Sequence, residues 1–249
     1  MSAPSARAKA MREPTSSGES TPTNASLVHQ QLRRDILFGM FEPQSKLSIE
    51  ELRQRYQVSP IPVREALNRL AAEGLIEHAE QKGFFIPSLG VEALRELVDT
   101  LGWVHEIMVR ETLRGGDEAW EESVVLAAHR LFKVPRYPDG QAELNPEWEV
   151  RHRAFHLALV SGCPSQWMRE FHAELLDYVD RYRHYYLSGE SRGEGRDVGD
   201  EHRQLLEAAV AHDAERLTGL LNLHARRTME IIVATIGEAR DKPRPSRRR

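Results

Sequence analysis

The fold of the N-terminal part of the chain is decided by Val58-Ser-Pro-Ile-Pro-Val-Arg-Glu-Ala-Leu-Asn-Arg-Leu-Ala-Ala-Glu-Gly-Leu-Ile76. Ser59 is predicted to cap a helix that begins at Pro60, because the first helical turn does not need the N–H that proline lacks. Gly74 is predicted to end this helix. Its apolar face repeats at helical spacing through Val63, Ala66, Leu67 and Leu70. The remaining faces carry long polar side chains, which suits insertion into the major groove of DNA.

Short elements are predicted on both sides of this helix. Leu27, Leu32, Ile36 and Leu37 indicate a first helix, stopped near Gly39, and a second helix is predicted over Ile49–Tyr56. An extended stretch at 46–48 and two strands at 75–78 and 84–86 complete a winged helix-turn-helix. Gly83, at the turn between the last two strands, either lets the backbone approach DNA or only satisfies the turn geometry.

The rest of the chain is predicted to be entirely helical. From Val91 onward the strand signals disappear, and helices are predicted over 92–114, 118–133, 146–162, 164–188, 198–211 and 213–236. Loops rich in Gly and Pro separate them. The fold class is therefore mainly α, with an N-terminal winged helix followed by an all-helical antiparallel bundle.

Four segments follow from these patterns. We expect a disordered leader at 1–24, a DNA-binding domain at 25–88, a helical domain at 89–238 and a basic disordered tail at 239–249. The leader is rich in Ser, Thr, Pro and Ala without apolar periodicity. The tail is predicted to be solvated, with auxiliary DNA contact as the alternative.

Composition limits the class of protein. A chain of 249 residues with 40% hydrophobic content can bury a sizeable core, and its apolar runs are shorter than the roughly 20 residues of a membrane span. The N-terminus lacks the apolar centre of a secretory signal. Cys163 is the single cysteine and fits a buried structural thiol in a reducing compartment. We expect a cytoplasmic protein that does not contact membranes.

The net charge of −4 is distributed unevenly. Residues 25–90 hold 8 Lys and Arg against 8 Asp and Glu, a net charge of zero, whereas residues 91–238 hold 17 against 27, a net charge of −10. A neutral DNA module predicts weak nonspecific affinity. Tight binding would then require two copies of the module on one DNA site.

Four histidines of the helical region have a chemically meaningful spacing. His152 and His156 lie four apart on one predicted helix and so project from the same face, while His202 and His224 belong to later helices. Shared metal binding is one interpretation, and ordinary hydrogen-bonded or exposed histidines are the other. A zinc hydrolase is disfavoured, because Arg153 stands where the helical metalloprotease pattern has its glutamate base.

Two sets of motifs resemble one known family. Gly39–Leu47, Pro62–Leu67 and Glu73–Ile76 resemble the winged helix of GntR-superfamily regulators. The second half resembles the helical FCD effector-binding domain of the FadR subfamily, through Arg151–His156, Gly162–Ser165, Asp200–His202, Ala211–Asp213 and His224. The resemblance covers roughly residues 25–238. The run Trp148–Tyr186 is especially similar to the carbon-starvation-induced branch, which represses glutarate catabolism.

The resemblance implies a homodimer that binds a palindromic operator in double-stranded DNA and responds to a small carboxylate. It also implies a divalent metal, which many such domains hold with one aspartate and three histidines. The matching positions here are His152, His156, His202 and His224. Because all four are nitrogen donors, zinc or nickel is expected. The alternative is a hydrogen-bonded pocket that anchors acids without metal.

The DNA-contacting residues are expected in the winged helix. Arg64 is retained from the family pattern and is the foremost candidate. Further candidates are Arg53, Ser59, Asn68, Arg69, Lys82 and Gly83. For Arg64 and Arg69 the alternative is a structural salt bridge. Pro60 and Glu50 depart from the arginines found at matching family positions, so operator contacts do not transfer directly.

The acid-binding residues are less determined by the sequence. An arginine common on the first helix of such domains has no counterpart near Gly102. Arg151, Arg181 and Arg183 are candidate clamps, because a guanidinium matches a carboxylate in a bidentate way. Tyr182 is a further candidate, with a core position as its alternative.

These inferences lead to a hypothesis of function. The chain is predicted to be a metabolite-responsive transcription regulator, a repressor rather than an enzyme, that is controlled by a dicarboxylate such as glutarate. The alternative is a metal-dependent enzyme or small-molecule binding protein that retains the winged helix as an interaction module.

Overall fold

The described part of the chain contains two hydrophobic cores. In a computed structural model, the described residues are 23–138, 144–187 and 196–241. One buried apolar cluster lies within residues 28–86 and the other within 89–236. Of the predicted leader and basic tail, residues 1–22 and 242–249 lie outside the described residues.

The N-terminal domain begins with three helices. They are α1 (Asn24–Leu37), α2 (Ile49–Tyr56) and α3 (Pro60–Ala72). The helix α1 begins inside the predicted leader, capped by Thr23, whose hydroxyl accepts from Ser26 N–H. Leu27, which was predicted to lie on the apolar face of this helix, is 41% exposed. The next residue, Val28, is buried in its place. The bounds of α2 agree with the prediction.

A small antiparallel sheet forms the wing. Its strands are β1 (Lys46–Leu47), β2 (Glu77–Ala79) and β3 (Gly83–Phe85), in the order β1-β3-β2. The predicted second strand started at Leu75, but Leu75 N–H donates to Leu70 O at 3.0 Å and so still belongs to the end of α3. Pairing starts at Glu77, opposite Phe85.

The C-terminal domain is a helical bundle, as predicted. Its helices are α4 (Val91–Gly115), α5 (Glu118–Phe132), α6 (Pro146–Leu159), α7 (Gln166–Tyr186), α8 (Val198–Val210) and α9 (Ala214–Asp241). The long helices α4 and α9 pack together, α7 contacts both, and α5 packs against α6 and α8. The last helix extends three residues into the segment predicted as a tail.

Helix α7 also joins the bundle to the winged helix. The His184 Nδ1–H donates to Leu37 O at 2.7 Å, and its ring stacks on Phe38 with centroids 4.5 Å apart. On the linker side, the Tyr182 hydroxyl donates to Gly90 O at 2.9 Å. The two domains are therefore connected by packed side chains as well as by the chain itself.

Candidate functional site

The exposed face of α3 carries the predicted DNA contacts. Arg64, Asn68 and Arg69 are exposed, while the apolar positions of the same helix are buried against the N-terminal core. Neither arginine has an ion-pair partner among the described residues, which disfavours the salt-bridge alternative for Arg64 and Arg69. Ile61, which the sequence reasoning missed, is 69% exposed in the first turn.

Ser59 occupies the N-cap position of α3, but its side chain makes no capping hydrogen bond. The other serine, threonine and aspartate caps of this chain accept from the N–H three residues later, as Ser48 does from Glu51. For Ser59 that position is Pro62, which has no N–H. The capping bond predicted from the sequence is therefore absent, and the hydroxyl stays exposed.

The wing places Lys82 in the exposed turn before β3. Gly83 has φ +101°, and a Cβ there would lie 3.3 Å from Lys46 Cε, so the turn itself requires glycine. Arg53 on α2 donates to Glu50 at 2.6 Å. That pairing neutralises part of the charge that Arg53 brings to this surface.

Four buried histidines meet in the bundle. His152 and His156 lie on α6, His202 on α8 and His224 on α9. One ring nitrogen from each lies within 4.8 Å of the others. We call these residues the four-histidine cluster. The arrangement brings together all four predicted metal ligands and has the donor number and spacing to hold a metal ion.

The histidines of the cluster are held neutral. Burial lowers the pKa of His156 and of His202 well below 6.5, and neighbouring positive charge adds to this effect. Arg183 Nη1 lies 2.9 Å from His152 Nδ1, and a guanidinium only donates. A neutral His152 therefore carries its proton on Nε2, which lies 3.0 Å from His156 Nε2.

A carboxylate that the sequence reasoning missed orients His224. Glu201 Oε2 accepts from His224 Nδ1–H at 2.7 Å, which leaves His224 Nε2 with a free lone pair. Arg196 binds both oxygens of Glu201, at 2.9 and 2.6 Å. Burial alone would raise the pKa of Glu201, but hydrogen bonds from His224 and Arg196 bring it well below its usual range. The only sequence signal was its place directly before His202.

A cavity of about 40 Å³ adjoins the cluster. Its walls include Arg153 and Arg183 beside the apolar Leu101, Val179 and Leu221. Space of this size accepts a few water-sized groups. Asp180 also lines the cavity and pairs with both arginines, so its polar side carries both charges, and its volume suits a single carboxylate group.

Arg183 is the one predicted acid-binding residue on this cavity. It pairs with the buried Glu149 and lies 3.0 Å from Asp180. Burial alone raises the pKa of Glu149, yet the charges of Arg183 and His184 lower it to about 2. Arg183 is thus fixed between two carboxylates and the His152 ring.

The other predicted acid-binding residues lie elsewhere. Arg181 donates to Pro87 O at 2.7 Å, and Tyr182 binds Gly90 O, so both support the interdomain linker. Arg151 donates to Glu147 at 3.1 Å one helical turn away on the surface. None of the three lines the cavity, whose residues from α7 are Leu176, Val179, Asp180 and Arg183.

Both domains match known families. Residues 24–86 match the family described as "Bacterial regulatory proteins, gntR family", and residues 96–227 match the FCD domain. The chain belongs to the GntR family of bacterial regulators. It is a DNA-binding transcription regulator with a helical effector-binding domain, as predicted. Placement in the carbon-starvation-induced branch stays a prediction.

Similar proteins carry regulator names. The chain is 36% identical over 204 residues to the uncharacterized HTH-type transcriptional regulator BphR of Paraburkholderia xenovorans, covering 82% of both chains. It is 35% identical over 204 residues to the HTH-type transcriptional repressor GlaR of Escherichia coli, covering 81% of this chain and 92% of that protein. These names point to regulation rather than to the enzyme alternative.

Solved structures share the fold of this GntR-family chain. The structure titled "E. coli McbR/YncC" superimposes with a TM-score of 0.71 over 86% of this chain and 99% of that one, at 20% identity. Among the described residues, no helix combines the length and apolar character that a membrane span requires.

Proposed function

We propose that this GntR-family regulator is a repressor whose operator affinity is set by a small carboxylate bound beside a divalent metal. The four-histidine cluster is the observation that carries the proposal. In support, four buried nitrogen donors approach one another within 4.8 Å, and nitrogen donors favour zinc or nickel over magnesium or calcium.

The donor set fits such a metal, and two of its members, His202 and His224, need no rearrangement. His224 Nε2 keeps a free lone pair, because Glu201 holds the ring proton on Nδ1. His156 Nε2 accepts from His152 Nε2–H, so its lone pair becomes free when that proton moves. His202 Nε2 is buried without a hydrogen-bond partner among the described residues. His152 would become a fourth ligand when Arg183 leaves its Nδ1, because the ring proton then moves from Nε2 to Nδ1. When bound, the metal supplies a positive anchor for a carboxylate oxygen.

The cavity narrows the class of effector. A carboxylate at the cluster meets Arg183, and the apolar Leu101, Val179 and Leu221 suit a short hydrocarbon chain. A short dicarboxylate such as glutarate has this character. The neutral DNA-binding domain supports a homodimer on a palindromic operator, because one copy has little electrostatic affinity of its own.

Metal binding is tested by chelator competition. We expect stripped protein to take up one zinc or nickel ion per chain and His202→Ala to lose stoichiometric uptake. Glu201→Gln should lower metal affinity about 10- to 100-fold, because the carboxylate orients His224. The matched controls are His129→Ala and Glu207→Gln, which change exposed residues away from the cluster. Uptake by His202→Ala equal to that of the unmodified protein would refute the site.

Regulation is tested on DNA. A randomised duplex library, selected with and without chelator, should yield one short palindrome, and adding glutarate to the metal-loaded protein should weaken its binding. The change in operator affinity cannot exceed the ratio of the acid affinities of the DNA-binding conformation and the conformation that binds DNA weakly. If short mono- and dicarboxylates neither bind nor change operator affinity, carboxylate control is wrong although DNA binding stands.

A further inference from the structure

Arg136 is a partly buried, charged residue near the four-histidine cluster. It lies in the connection between α5 and α6. Its guanidinium sits over the rings of Tyr137 and Trp148, at 5.2 and 5.4 Å from their centroids. Cation–π contacts with two rings restrain the guanidinium without using its N–H groups as hydrogen-bond donors.

Arg136 differs from its arginine neighbours in lacking a carboxylate. Three arginines around the cluster are paired: Arg183 with Glu149, Arg196 with Glu201, and Arg153 with Asp177. Arg136 has no ion-pair partner among the described residues, and its buried Nε has no hydrogen-bond partner there. Burial lowers the pKa of Arg136, and the charges of Arg183 and Arg196 lower it further.

The guanidinium is one aromatic ring away from the four-histidine cluster. Trp148, which Arg136 covers, also stacks on His152 with centroids 4.5 Å apart and an interplanar angle of 18°. The same indole lies 6.1 Å from His202. Arg136 is therefore within about 10 Å of the His152 ring, the two ring spacings laid end to end.

A partly buried guanidinium without a counter-ion is costly, and a bound anion removes that cost. We propose that Arg136 is a second anion subsite, which binds one acidic group of the effector while another carboxylate lies at the four-histidine cluster. This inference rests on the proposed function and makes the effector a diacid rather than a monoacid. Less the metal–oxygen and guanidinium–oxygen contacts, a separation of about 10 Å matches the length of a short carbon chain, which would pass along the edge of the Trp148 indole.

Calorimetric titration of the zinc-loaded protein with glutarate and with pentanoate tests the subsite, because these acids share a chain length and differ in one carboxylate. We expect the unmodified protein to prefer glutarate. Arg136→Ala should weaken glutarate binding about 10- to 100-fold, the range of a charge-assisted hydrogen bond, and leave pentanoate binding unchanged. Arg136→Lys should give an intermediate loss, since the charge stays but the bidentate geometry is lost.

The matched control is Arg130→Ala, an exposed arginine on α5. Zinc uptake and melting temperature of Arg136→Ala establish that the variant is folded. The subsite is wrong if Arg136→Ala binds glutarate as the unmodified protein does, or if both acids weaken equally. If the unmodified protein binds pentanoate and glutarate alike, the carboxylate proposal holds and the subsite fails. If it binds neither these acids nor other short mono- and dicarboxylates, the proposed function fails and the subsite with it.

Discussion

Ile61 exposes 69% of its surface in the first turn of α3, an unusual position for a large apolar side chain. Arg64 and Asn68 follow it by three and seven residues and share its face of the helix. In a helix-turn-helix the N-terminal residues of this helix meet base edges. The apolar group offered by the major groove is the thymine methyl. Ile61 is therefore expected to read thymine beside the hydrogen bonds that the polar residues make.

Removing thymine methyls one at a time tests this contact. In the selected operator, replacing the contacted thymine by deoxyuridine should weaken binding about fourfold, the value of roughly one buried methyl group. Ile61→Ala should bind the thymine operator more weakly and be insensitive to the same replacement. Competition binding across single replacements measures both effects. A variant that still loses affinity at every position where the unmodified protein does would exclude Ile61 as the reader.

At the scale of elements, the end of α3 depends on one glycine. Gly74 has φ +73°, and a Cβ there would lie 3.1 Å from the Tyr178 hydroxyl on α7. Gly74→Ala should therefore lower the free energy of unfolding by about 1–2 kcal/mol. Gly219, inside α9, has no atom within 4 Å of a built Cβ, so Gly219→Ala should raise it by about 0.5–1 kcal/mol. Urea unfolding compares the two, and a stabilised Gly74→Ala variant would contradict the requirement for a left-handed residue.

The elements themselves were largely predictable from local patterns. The helix α2 was predicted with its observed ends because its apolar spacing and the turn signals before it are local. The strand predicted from Leu75 was two residues too early, because a hydrogen bond back into α3 competes with sheet pairing there. Apolar character alone does not distinguish these two backbone partners.

The candidate site was predictable only in part. The i,i+4 spacing of His152 and His156 and the later helices of His202 and His224 are visible in the sequence, and the family resemblance matched all four to metal-ligand positions. Glu149 and Arg136 were missed because a charge becomes informative through burial and through partners that are remote in the sequence. Arg181 was predicted to bind the acid because its actual partner, Pro87, lies 94 residues away in the sequence and could not be recognised from it.

At the scale of the whole molecule, a network of ion pairs connects the cavity with the DNA-binding domain. Arg153, on the cavity, lies 2.6 Å from Asp177, which also pairs with Arg33 on α1. Arg33 lies 3.8 Å from Glu73, the residue that ends α3. An acid that draws Arg153 toward the cavity would weaken its hold on Asp177, and the change would reach α3 through Arg33. This contiguous network is a route by which effector binding could shift the two domains.

Asp177→Asn tests this route, because the amide keeps the shape of the side chain and removes the charge that both arginines share. Metal and acid binding should be retained, since Asp177 does not line the cavity. The change in operator affinity on adding the acid should fall from the 5- to 150-fold typical of coupled sites toward onefold. Glu174→Gln, an exposed carboxylate on the same helix, is the matched control and should respond as the unmodified protein does. An Asp177→Asn protein with a full response would exclude this ion-pair network as the route, and would leave the other contacts of α7 with the winged helix and the linker, such as those of His184 with Leu37 and Arg181 with Pro87, to couple the domains.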